Sequence, residues 1–71
     1  MKRGAAAAEE VRRVRNAFGL TQEMLAEALG TTTSTVNRIE RGHIRPSPRT
    51  MRALHTLAER RGIPFVAGLD G

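Results

Sequence analysis

Glycines and capping residues cut this chain into short segments, and that punctuation limits its fold more than any other feature. Gly19, Gly30, Gly42 and Gly62 each follow a stretch of helical character. Glycine after the last periodic residue is the commonest helix stop. Helix starts stand between these stops. Thr21 and Thr32 are good N-caps, and Ser47-Pro48 gives an N-cap followed by proline at the first helical position. The pattern predicts helices over 5–18, 22–29, 33 to about 41, and from Pro48 to just before Gly62. Short helices of this kind are marginal alone and must pack on one another. The expected fold class is therefore all-α, a compact four-helix domain over 5–61 with a basic, flexible arm at 1–4 and a short extended tail at 62–71.

Each predicted helix carries an apolar stripe. Ala7, Val11, Val14 and Phe18 step by four, three and four. Leu25 and Leu29 mark the second helix, with Leu20 and Leu25 at the spacing of a hydrophobic staple. The third has Val36 and Ile39, and the fourth has Met51, Leu54, Leu57 and Ala58. Phe65 joins these in the expected core. Met24 reads as partly exposed packing. On the first helix Glu9 and Arg13 have the i,i+4 spacing of an ion pair.

Composition excludes several chemistries. With no cysteine, the chain has neither disulfides nor a thiolate metal site. His43 and His55 are its only histidines and lie far apart, so no metal and no cofactor are expected. No nucleophile and base, no paired carboxylates and no phosphate loop appear, so no enzyme is expected. No apolar run approaches the length of a membrane span. The start MKRGAAAA has too few apolar residues before Glu9 and Glu10 for a signal peptide. A cytoplasmic, nucleoid-associated protein is the expectation.

Charge points to a partner. The net charge is +5, and 11 of the 12 cations are arginine. Residues 36–61 hold seven arginines against Glu40 and Glu59, whereas residues 1–35 are nearly balanced. A basic half on a small domain is the electrostatic footprint of nucleic acid. The chain has no Trp or Tyr and only two Phe, too few stacking rings for a single strand, which favours a duplex.

The stretch QEMLAEALGTTTSTVNRIER, from Gln22 to Arg41, sharpens this. It is two short helices joined by a tight turn at Gly30, with small Ala26 where they cross. Leu25, Leu29, Val36 and Ile39 point inward. The second of the two then has an outward polar face, the part a DNA-binding helix-turn-helix lays in the major groove. On that face Asn37 has the chemistry to bind adenine. Arg41, Arg45 and Arg49 surround the following loop and suit the phosphates of a duplex.

The chain resembles the Cro and phage-repressor type of helix-turn-helix, also called Xre-type. "GLTQEMLAEALG", "STVNRIERG" and the proline-containing loop before a helix carry the resemblance, which spans about Val11 to Leu57. It implies a lambda-repressor-like bundle that binds double-stranded DNA in a sequence-specific way, usually as a homodimer. It further implies base contacts from Thr33, Ser34 and Arg38, and a phosphate contact from Gln22, which also fits the N-terminus of a helix. Arg15 and Glu40 match a structural ion pair of the family. The expected function is a transcriptional regulator, a repressor binding a short palindrome. The alternative is an antitoxin-type module that binds a toxin partner and regulates itself by DNA binding. Many relatives build their dimer with a fifth helix, which GIPFVAGLDG cannot form. Ile63, Phe65 and Val66 are therefore the expected dimer contact.

Overall fold

A computed structural model describes residues 4–60 of the chain. Within them are four helices and no strand: α1 (Ala5–Phe18), α2 (Gln22–Leu29), α3 (Thr33–Glu40) and α4 (Pro48–Arg60). The architecture is all-α, as the punctuation predicts. Only the end of α3 differs, because Arg41 is its C-cap and not its last helical residue. The expected tail at 62–71 lies outside the described residues, with Phe65 in it, and so do residues 1–3 of the expected arm.

Local chemistry fixes each helix end. Thr21 Oγ1 accepts from the Met24 N–H at 3.1 Å and Thr32 Oγ1 from the Thr35 N–H at 3.1 Å. Ser47 Oγ accepts from the Thr50 N–H at 3.2 Å, so α4 starts as its Ser-Pro pair dictates. Each hydroxyl satisfies one of the orphan amides at a helix start. The C-termini of α1, α2 and α3 share one solution, the Schellman motif. In α2 the Gly30 N–H bonds Glu27 O at 3.2 Å and the Thr31 N–H bonds Ala26 O at 2.9 Å. Gly30 holds φ 71° there. A Cβ at Gly30 would meet nothing within 4 Å, so the turn needs glycine for its backbone and not for space.

Gly4 is the N-cap of α1, at φ 77°. A Cβ on it would lie 3.2 Å from the Ile44 carbonyl oxygen. The last residue of the expected arm thus packs against the α3–α4 loop.

The core joins all four helices. Val11 and Val14 of α1, Leu25, Ala26 and Leu29 of α2, Val36 and Ile39 of α3, and Met51, Leu54 and Ala58 of α4 form one buried cluster. Each fully buried aliphatic chain stabilises the fold by roughly 1.5–3 kcal/mol. Phe18, Leu20 and Leu57 pack on it while partly buried. The α2–α3 pair sits across α1 and α4, and α3 also packs directly on α1. This seating turns one side of α3 inward and leaves the other in water.

On α1 the ion pair stands between Arg13 and Glu10, where the spacing pointed to Glu9. Arg13 bonds Glu10 with Nε to Oε1 at 2.8 Å and Nη2 to Oε2. Glu10 is buried while Glu9 is exposed. A carboxylate removed from water needs a charged donor more than one that water already solvates, and i,i+3 is as reachable as i,i+4. Donating to the Glu10 carboxylate raises the pKa of the Arg13 guanidinium above its ordinary value.

Candidate nucleic-acid interface

Glu40 is the last residue of α3 and only 4% exposed. Burial of a carboxylate demands donors, and α1 and α2 supply them. Arg15 of α1 grips it at two points, Nε to Oε2 at 2.6 Å and Nη2 to Oε1 at 3.1 Å. Arg15 Nη1 also donates to Leu20 O at 3.0 Å, closing the α1–α2 turn. Gln22, at the start of α2, donates through Nε2 to Glu40 Oε1 at 3.1 Å. Its own Oε1 accepts from Asn37 Nδ2 at 3.3 Å. Arg12 Nη1 donates to the backbone oxygen of Glu40. The network fixes the angle at which α3 leaves the domain.

The outward side of α3 is polar. At about 100° per residue, Thr33, Asn37, Ser34 and Arg38 occupy an arc of roughly 140°, Val36 and Ile39 lie on the opposite side, and Glu40 falls beside Thr33 at the margin of the arc. Thr33, Ser34 and Arg38 are exposed, and Asn37, between Thr33 and Ser34 on the arc, is half-buried against Gln22. The hydroxyls of Thr32 and Thr35 bond each other at 2.9 Å and are occupied with the cap.

Arginines divide into two groups. Arg12, Arg13 and Arg15 of α1 each bond an acceptor inside the fold. Arg38, Arg41, Arg45, Arg49 and Arg52 are exposed. Among the described residues they form no ion pair; the two salt bridges present belong to Arg13 and Arg15. Arg41 caps α3, Arg45 lies in the loop and Arg49 in the first turn of α4, so this charge borders the end of α3. Arg guanidinium groups without internal acceptors are the groups that grip phosphate or guanine edges.

Thr33, Ser34, Asn37 and Arg38 lie on one helix as their spacing predicts, while Arg41, expected at the end of that helix, is its C-cap, Arg45 lies in the loop and Arg49 on α4. The structure brings Gln22 and Asn37 into direct contact with each other, which their spacing of fifteen residues does not reveal. It also adds Arg12 to the group around Glu40. The signal for Arg12 was its position one turn before Arg15 on the same helix.

Two short helices across a tight turn, the second with an exposed polar face beside exposed arginines, define a helix-turn-helix DNA-binding domain. A helix-turn-helix family model matches residues 11–57, well over half of the chain. The chain belongs to the Cro/C1-type helix-turn-helix family and is a DNA-binding transcription regulator. Comparison with curated proteins and with solved structures gives no significant match. Among the described residues, no helix is long and apolar enough to cross a membrane.

Proposed function

We propose that this chain is a sequence-specific repressor that binds a short palindrome in double-stranded DNA as a homodimer, with α3 in the major groove. One observation carries the reading. The arginines of α1 are paired within the fold, whereas Arg38, Arg41, Arg45, Arg49 and Arg52 are exposed without an ion pair among the described residues. Thr33, Ser34, Asn37 and Arg38 contact base edges, and Gln22, Arg41, Arg45 and Arg49 contact phosphates. Arg38 suits the O6 and N7 of guanine, and the Thr33 methyl suits thymine. The first amides of α2 beside Gln22 favour a phosphate. Repression needs only occupancy of the site, and the partner places the protein at the nucleoid.

Arg38→Ala and Arg45→Ala test the orientation of α3. The first removes a base contact and is expected to cost about 1–3 kcal/mol on the preferred site while relaxing choice at one base pair. The second removes a phosphate contact and weakens all sequences alike. Binding curves on the preferred and scrambled duplexes separate the two; equal patterns of loss would reject the docking.

The dimer rests on geometry and apolar surface. An α3 of 8 residues reads only a few base pairs, so specificity calls for two half-sites about one turn of DNA apart. Among the described residues, Met24 at 51% is the one large apolar side chain left exposed. The sequence supplies the missing apolar surface in Ile63, Phe65 and Val66. Deleting residues 63–71 is expected to leave a folded monomer with much weaker operator binding. Light scattering that finds the shortened chain still dimeric would move the interface elsewhere, to the surroundings of α4.

A further inference from the structure

The hydrogen bonds around Glu40 run in one direction, and that direction reaches the base-reading face. Glu40 as a carboxylate accepts and does not donate. Gln22 must therefore turn its amide NH2 toward Glu40, as the 3.1 Å bond from Nε2 to Oε1 has it. Its carbonyl oxygen is then left facing Asn37, and only the NH2 of Asn37 can answer it, at 3.3 Å. The choice of N and O in both amides follows from the charge of one buried residue. Arg15 holds that charge in place at both carboxylate oxygens, so the carboxylate cannot turn away without leaving its two-point ion pair.

The consequence falls on the free edge of Asn37. One hydrogen of its NH2 is held by Gln22. Its Oδ1 bonds nothing among the described residues, and no buried side-chain nitrogen or oxygen there lacks a partner. Oδ1 is therefore open to solvent. Asn37 thus offers outward one acceptor and one remaining N–H donor. In the major groove adenine presents the complement, a donor at N6 beside an acceptor at N7. Guanine presents two acceptors, O6 and N7, and would need two donors. An unrestrained asparagine can swing its NH2 outward and offer both hydrogens to guanine. A tethered one cannot.

We propose that Gln22 is a positioning residue that locks the polarity of the Asn37 amide, so that Asn37 selects adenine and rejects guanine at its base pair. The proposal rests on the reading of α3 as the base-contacting helix and adds to it how one position gains its specificity. Gln22 then acts twice on DNA, through its own phosphate contact and through the orientation of its neighbour. The two actions have different signatures. Loss of a phosphate contact weakens all sequences equally, whereas loss of the lock changes the ratio between two bases at one pair.

The experiment is selection of bound sites from random duplexes by the full chain, by Asn37→Ala, and by Gln22→Met and Gln22→Ala, with thermal melting of each protein beforehand. Both Gln22 variants leave the Arg15–Glu40 pair in place. Asn37→Ala identifies the base pair, because preference flattens there alone. At that pair the native chain is expected to favour adenine over guanine roughly tenfold, the size of a good two-point base contact. The Gln22 variants are expected to bring that ratio close to one while the other positions of the site stay unchanged. An adenine-to-guanine ratio that the Gln22 variants leave unaltered overturns the lock and spares the DNA-reading helix. A guanine preference in the native chain overturns the lock as well. Failure of the native chain to enrich any sequence overturns the sequence-specific reading itself, and the lock with it.

Discussion

Arg15→Ala is expected to cost about 3 kcal/mol of folding stability, the low end for breaking a buried ion pair by removing one partner. Glu40 is 4% exposed, so it cannot recover its hydration when Arg15 is gone. Gln22 stays as its one side-chain donor, a neutral group facing a full charge. The same substitution removes the bond from Arg15 Nη1 to Leu20 O that closes the α1–α2 turn. Small domains hold only about 5–15 kcal/mol in total, and at this size 3 kcal/mol corresponds to a fall in Tm of roughly 12–24 °C. Thermal melting followed by circular dichroism measures it. Arg15→Met combined with Glu40→Leu is expected to recover much of the loss, because no charge is then left buried. It would not recover all of it, since the Leu20 oxygen still lacks its donor. A single variant that melts with the native chain would mean that the pair adds nothing to stability.

The frame of this domain was readable from local chemistry. Thr21, Thr32, Ser47 and Pro48 start helices because their side chains or rings suit the first turn, whatever surrounds them. Gly19, Gly30 and Gly42 end helices for an equally local reason. The apolar stripes needed only the helical period, which is why Val11, Val14, Leu25, Val36, Ile39 and Leu54 all lie in one core. What depended on the rotation of a helix about its axis was less legible. Glu9 and Glu10 are adjacent, and nothing in their spacing to Arg13 says that Glu10 is the buried one. Burial there is decided by how α1 seats on its neighbours. The tie between Gln22 and Asn37 is less legible still, because it joins two helices through long polar side chains whose reach depends on the crossing angle. Among the candidate contact residues, Thr33, Ser34 and Arg38 could be placed on an outward face from Val36 and Ile39 alone. Asn37 could be placed on that face, but its partner could not.

DNA affinity is expected to fall about 10³-fold between 50 and 200 mM salt, the largest single effect the proposed interface implies. Arg41, Arg45 and Arg49 from each of two protomers would neutralise six phosphates, and each phosphate releases condensed counterions, giving a log–log slope near −5. Gln22 adds a hydrogen bond without adding to that slope, since it carries no charge. A monomer with the same three arginines would show a slope near −3 and lose only some 40-fold over the same range. The slope therefore reports both the identity of the phosphate contacts and the number of protomers on the duplex. Replacing any one of these arginines by alanine is expected to reduce the steepness by about 2 in a dimer, because both copies are lost at once. Arg13→Ala serves as the control. Its guanidinium is occupied by Glu10, so its removal should leave the slope alone. Fluorescence anisotropy of a labelled palindrome across a salt series measures all five proteins. A shallow slope, or one that Arg13→Ala changes as much as Arg45→Ala, would place the duplex on a different face of the domain.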